Sequence, residues 1–229
     1  MNKKIVIVGA STGIGKALVE KAANSENNRI IALSRKTKLM NEQFEKYDNV
    51  SSHYLDLEKV AATDLEHILS AEGPIDVLIN NAGYLVNKPF EEMDKVDFSK
   101  SFQINILGIM EVIQYSLAHL NSEFAHIVNI SSMGGFQGSS KFPGLTVYSS
   151  SKAAICGFTE VFAEEYKDSH IHMNCLCLGA VQTAMLEKAF PGYQAKVKPE
   201  EMASYIYDFA LNQGRTANGE IIPVSLSTP

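Results

Sequence analysis

The sequence predicts an α/β domain built around a parallel sheet, and three observations predict it. Short apolar runs alternate with longer helical patterns along the chain, the mark of successive βαβ units. A glycine-rich turn lies between the first apolar run and the first helical pattern, where such folds bring backbone close to a ligand. With 229 residues, 45% of them hydrophobic, the chain fills one core comfortably and two only marginally. A single domain over 1–229 is therefore expected, with no repeat, linker or low-complexity segment.

Residues 3–8 read as the first strand. Gly9-Ala10-Ser11-Thr12-Gly13-Ile14-Gly15 follows at once and opens a helix over 16–24. Glycines permit a tight turn and close approach to a pyrophosphate, while a helix N-terminus offers free N–H groups and a positive dipole end. Gly9, Ser11, Thr12, Gly13, Ile14 and Gly15 are therefore candidate phosphate contacts, at a Gly-x-x-x-Gly-x-Gly spacing unlike the commoner Gly-x-Gly-x-x-Gly.

The second strand, 29–34, ends in Ser34-Arg35-Lys36. At this place a nicotinamide dinucleotide fold reads the adenosine ribose: an acid binds the 2′-hydroxyl, whereas Arg or Lys accepts a 2′-phosphate. No acid stands there, so NADP(H) is expected in preference to NAD(H), with Ser34 and Arg35 as contacts.

The third strand, 50–55, closes on Asp56-Leu57. The Asp56 carboxylate reads either as an acceptor for the adenine amino group or as the cap of a helix beginning near 58. The fourth strand, 76–80, flows into Asn80-Asn81-Ala82-Gly83. Irregular, polar chain over 84–97 leads to a long helix over 98–120. Inside that helix Asn105 sits among Ile104, Ile106 and Leu107, and its amide competes with backbone hydrogen bonds, so a bend is expected.

The fifth strand, 125–131, delivers Ser132, and 139–147 is a loop rich in Ser, Gly and Pro. The next helix carries Tyr148 and Lys152 and runs to 167. A sixth strand, 171–178, turns out through Gly179, Val181 and Thr183 into an irregular stretch, 184–198, that is expected to form a lid. A last helix, 200–211, and a last strand, 220–224, complete the chain.

Tyr148 and Lys152 are four residues apart, which on a helix puts phenol and ammonium on one face. A phenol of ordinary pKa, about 10, transfers protons poorly near neutrality, and a fixed cation within a few ångströms is expected to bring that pKa down. Ser132, at a strand's carboxyl end, is placed to polarise a carbonyl that Tyr148 protonates.

The net charge of −6, with no basic block, argues against nucleic acid and anionic membrane surfaces as partners. No apolar run is long enough to span a bilayer, and the one near the start stops at Gly9, too short for a signal peptide. Cys156, Cys175 and Cys177 make no secreted disulfide framework, so a cytoplasmic location is expected. Cys175 and Cys177 alternate in an apolar run and read as small core residues facing one side of a strand. None of the six histidines shows metal spacing, and no metal site is expected.

Taken together, Gly9-x-x-x-Gly13-x-Gly15, Asn80-Asn81-Ala82-Gly83, Asn105, Ser132, Tyr148-x-x-x-Lys152 and Gly179-x-x-x-Thr183 resemble the short-chain dehydrogenase/reductase family, over nearly the whole chain. The resemblance implies a doubly wound Rossmann-type domain, a seven-stranded parallel sheet with helices on both faces, and NAD(P) across the carboxyl ends of the strands. It implies that Tyr148 is the general acid of carbonyl reduction. Lys152 would lower the phenol's pKa and bind the nicotinamide ribose, Ser132 would orient the carbonyl oxygen, and Asn105 would hold a water linking Lys152 to solvent. Asn80, Asn81, Ala82 and Gly83 would line the adenosine half. Gly179, Val181 and Thr183 would lie at the carboxamide. A homodimer or homotetramer is also implied. Two departures stand out: Leu178 precedes Gly179 where the family has Pro, and 139–143 lengthens the Ser132–Tyr148 spacing.

The expected function is NADP(H)-dependent oxidoreduction of a small, apolar ketone or aldehyde. An NAD-dependent alcohol dehydrogenase and a dinucleotide-sensing regulator without turnover are the alternatives.

Overall fold

The computed structural model describes residues 3–25 and 27–226, so the ends of the expected 1–229 domain and residue 26 lie outside the described residues. Seven strands form one parallel sheet: β1 (Lys4–Val8), β2 (Arg29–Ser34), β3 (Val50–Tyr54), β4 (Val77–Asn80), β5 (Ala125–Ser132), β6 (Ile171–Leu178) and β7 (Ile221–Val224). Their order is β3-β2-β1-β4-β5-β6-β7, and every neighbouring pair is parallel. The central strands read as continuous apolar runs because helices cover both of their sides.

Two cores result, one on each face. Ile5, Ile7, Ile30 and Val128 pack under α1 (Gly13–Ala23), α2 (Thr37–Phe44) and α8 (Pro199–Asn212), through residues such as Leu18, Phe44 and Ile206. Val6, Ile31, Leu78 and Ile127 pack on the other face under α3 (Ala62–Glu72), α5 (Gly108–Ser116) and α6 (Thr146–Glu165), through Leu69, Ile109 and Ile155. α4 (Lys95–Phe102) leads into α5, and α7 (Ala184–Ala189) lies in the stretch after β6. The strand order reverses between β1 and β4, which opens a crevice at the carboxyl ends of the strands.

Several element boundaries differ from expectation, each for a local reason. α2 has no counterpart in the expected pattern; it buries only Met40 and Phe44, too few apolar positions to show as a periodicity. The helix expected near residue 58 starts at Ala62, because Asp56 Oδ1 accepts from Glu58 N at 3.0 Å and holds a turn there instead. The helix expected over 98–120 starts at Lys95, since Asp94 and Asp97 form a reciprocal capping box. It then passes through a π-helical turn, Gln103–Leu107, around Asn105, so the distortion expected of that residue takes this form. The stretch 184–198 is less irregular than expected, because Thr183 caps α7 by accepting from Leu186 N at 3.2 Å.

Candidate active site

A cavity of about 630 Å³ occupies the crevice and is lined from the loops after β1, β2, β3, β4, β5 and β6. Of the residues expected to hold a dinucleotide, Gly9, Ser11, Thr12, Gly13, Ile14, Ser34, Arg35, Asp56, Leu57, Asn81, Ala82, Gly83, Gly179, Val181 and Thr183 all line it. Three expected site residues do not. Gly15 is buried where α1 crosses Gly9, Asn80 is fully buried in β4 with its amide donating to Asn129 Oδ1 at 2.9 Å, and Asn105 is fully buried behind the wall. Asn80 therefore supports the sheet and does not face the cavity.

The first loop fits a pyrophosphate. Gly9 takes φ +84°, and a Cβ there would stand 2.6 Å from Ala82 Cα, so only glycine lets the loops after β1 and β4 touch. Thr12, the N-cap of α1, makes no side-chain cap, and no acid lies in the first turn. Those N–H groups and the positive end of the helix dipole are therefore free to meet an anion.

The next contact group is more engaged than the sequence suggests. Ser34 Oγ donates to Ser11 Oγ at 2.9 Å, tying the ends of β2 and the first loop together. Arg35 pairs with Glu58, Nη1 to Oε2 at 3.3 Å, and Lys100 takes the other Glu58 oxygen at 3.2 Å. The acid absent from the end of β2 is supplied from the far side of the rim.

Catalytic candidates converge at the head of β5. Ser132 and Tyr148 both line the cavity, and Ser132 Oγ accepts from Gly134 N at 3.2 Å. Lys152, 3% exposed, donates Nζ to the Ile130 carbonyl oxygen at 2.8 Å. Ser131 points the opposite way, donating to the Lys152 carbonyl oxygen at 2.7 Å. Gly135, which sequence reasoning did not single out, packs against that same peptide; a Cβ there would stand 2.6 Å from the Lys152 carbonyl oxygen. The signal was present in the pair Gly134-Gly135 directly after the serine.

The electrostatics of this group differ from the expectation drawn from Tyr-x-x-x-Lys alone. Burial raises the Tyr148 phenol above its ordinary 10, and the nearby Ser132 hydroxyl opposes that rise. Burial also lowers the Lys152 pKa, to about 8, against the opposing pull of the neighbouring thiols. Helical spacing brings the two groups to one face, and desolvation is the largest influence on each.

Asn105 is anchored by the main chain. Its Oδ1 accepts from Tyr84 N at 2.7 Å, and its Nδ2 donates to Tyr84 O at 2.8 Å and to Ser151 Oγ at 2.9 Å. A Cβ on Gly83 would lie 3.5 Å from Lys152 Nζ and 3.6 Å from Asn105 Oδ1, so both polar atoms face one glycine.

The remaining wall is apolar. Leu85, Phe142, Leu145, Met185, Leu186, Phe190 and Tyr193 line the same cavity as Ser132 and Tyr148. The expected lid is tied down at two places: Gln182 N donates to Val197 O at 2.9 Å, and Asn87 Nδ2 donates to Ala189 O at 2.8 Å. The extra residues before Tyr148 are folded back by Lys141, which donates to Gly134 O at 3.0 Å and Phe136 O at 2.6 Å. Leu178, in place of the family's Pro, is buried in the core.

The model of the short chain dehydrogenase family matches residues 3–194. The chain belongs to this family. Among curated members, the 3-oxoacyl-[acyl-carrier-protein] reductase FabG of Aquifex aeolicus is 28% identical over 97% of this chain and 96% of its own. L-xylulose reductase of Bos taurus is 30% identical over 82% of this chain and 75% of its own. Among solved structures, ElxO with NADP bound superposes with a TM-score of 0.84 and 27% identity, covering 98% of each chain. As a short-chain dehydrogenase/reductase, the protein is an oxidoreductase acting on CH–OH and C=O groups with a nicotinamide dinucleotide. No helix among the described residues is long and apolar enough to cross a membrane.

Proposed function

We propose that the protein is an NADP(H)-dependent reductase of small, apolar ketones or aldehydes. The observation that carries this reading is the convergence of Ser132, Tyr148 and the buried Lys152, whose Nζ is held by Ile130 O at 2.8 Å, on one cavity with many apolar lining side chains.

The open N-terminus of α1 suits the pyrophosphate, and Arg35 with Lys36 suits a 2′-phosphate, in line with the NADP bound by the relative ElxO. The bound nicotinamide supplies the hydride. Ser132 donates to the substrate oxygen and stabilises the negative charge that develops there. Tyr148 Oη delivers its proton to that oxygen, and Ser132 and Lys152 support the phenolate left behind. Lys152, held by Ile130 O, keeps a positive charge beside this group below about pH 8. In the reverse direction Tyr148 accepts the alcohol proton.

The Arg35–Glu58 pair favours a second reading, an NAD-dependent alcohol dehydrogenase, because it partly neutralises the cation meant for the 2′-phosphate. A non-catalytic sensor has no such support. We further propose pairing of chains through α5 and α6, where Leu107 and Met110 just before and within α5, and Val161 on α6, are solvent-exposed. A reducing, cytoplasmic compartment suits three free thiols. A panel of carbonyl compounds assayed with NADPH and with NADH tests the reading. Faster turnover with NADPH supports it; faster turnover with NADH, or none with either, overturns it.

A further inference from the structure

All three cysteines of the chain meet in one place that the proposed chemistry does not use. Cys156 lies on α6 one turn after Lys152, and Cys175 and Cys177 point at it from β6. Cys156 Sγ is 4.0 Å from Cys175 Sγ and 3.6 Å from Cys177 Sγ, and all three sulfurs lie within 4.8 Å of one another. Three sulfurs bound at about 2.3 Å to a central tetrahedral ion stand about 3.8 Å apart. The spacing of the thiols is that of a ligand set.

The surroundings supply what such an ion needs. Ser131 Oγ accepts from Cys156 Sγ at 3.5 Å, an oxygen beside the sulfurs that can serve as a fourth ligand. A dication with three thiolates leaves one negative charge, and the buried Lys152 ammonium, whose field reaches all three sulfurs, balances it. The Cys175 and Cys177 thiols also hydrogen-bond Cys156 and favour its thiolate.

We propose that Cys156, Cys175 and Cys177, with Ser131, form a binding site for a divalent thiophilic metal ion, displacing the thiol protons as it binds. Such an ion joins β5, which carries Ser132, β6, which leads into Gly179, and α6, which carries the Tyr148–Lys152 pair. Soft thiolates select zinc-like ions over magnesium or calcium. Cys175 and Cys177 have no exposed surface and Cys156 is 8% exposed, so loading requires α6 to open and is slow.

The test equilibrates the reduced full-length protein overnight with Cd²⁺ and follows sulfur-to-cadmium charge-transfer absorption and native mass. Because the chain has no other cysteine, any such absorption comes from this cluster. The proposal expects saturation at one ion per chain. It also expects Cys156→Ala and Cys177→Ala each to weaken binding at least about a hundredfold, beyond the 10–100-fold that loss of an outer partner costs. No charge-transfer band at one equivalent, or a band unchanged in both variants, overturns it. If neither variant folds, X-ray absorption of the cadmium-loaded wild type decides: three sulfur neighbours are expected, and fewer overturn the proposal.

Discussion

Lys152 holds its ammonium 2.8 Å from the main-chain oxygen of Ile130, at the end of the strand that delivers Ser132. The contact fixes the cation relative to the serine, while burial lowers its pKa from 10.5 to about 8. Carbonyl reduction should therefore lose rate as pH rises through about 8, because the cation supporting the phenolate is lost there. Lys152→Met should be slower throughout and lack this limb. Profiles of kcat/KM against pH check it, and a limb of unchanged midpoint in Lys152→Met contradicts it.

Ser131 and Ser132 separate by the alternation of a strand, one bonding the Lys152 peptide and the other lining the cavity with Tyr148. Ser132→Ala should cut turnover about a hundredfold or more. Ser131→Ala should leave turnover close to wild type and cost about 1 kcal/mol of stability. Steady-state rates and denaturant unfolding of both variants check the ranking.

Glu58 competes for Arg35. Removing its charge in Glu58→Gln should tighten NADPH by about two- to fivefold, the worth of an exposed pair, and leave NADH nearly unchanged. Arg35→Asp should weaken NADPH about tenfold to a hundredfold and NADH far less. Nucleotide titrations by fluorescence measure both, and equal effects on the two nucleotides contradict the assignment.

His126 predicts an acid limit to stability. Its Nδ1 donates to Ala210 O at 2.8 Å, so its Nε2 is the acceptor for Asn174 Nδ2 at 3.0 Å, and the ring is neutral. Burial lowers its pKa from 6.5 to about 4. The unfolded chain takes up this proton first, so stability falls as pH drops from 6.5 towards 4, by about 3 kcal/mol in all. Urea unfolding across that range should show the loss, and His126→Gln should lessen it.

The sequence carried the fold and the placement of the site because its signals were local. A glycine-rich turn after a strand, apolar runs for the central strands and a helical Tyr148–Lys152 spacing each need only neighbouring residues to be read. What it did not carry depends on distant pairs. Glu58 reaching Arg35, Asn80 turning inward to Asn129 and Lys141 folding back on Gly134 are set by loop paths that no short window shows. The phenol's pKa belongs with these, since burial by the whole fold decides it. Cys175 and Cys177 were legible as core residues on β6, but their meeting with Cys156 required the packing of α6.

Tyr148→Phe tests the proton-transfer role most directly, because it removes one oxygen and keeps the buried ring. The measurement is turnover of a carbonyl substrate set beside NADPH affinity in the same variant. Loss of turnover by about 10²- to 10⁴-fold with nearly unchanged affinity is the result predicted for a lost general acid. Turnover close to wild type in a folded Tyr148→Phe would contradict the role given to this residue.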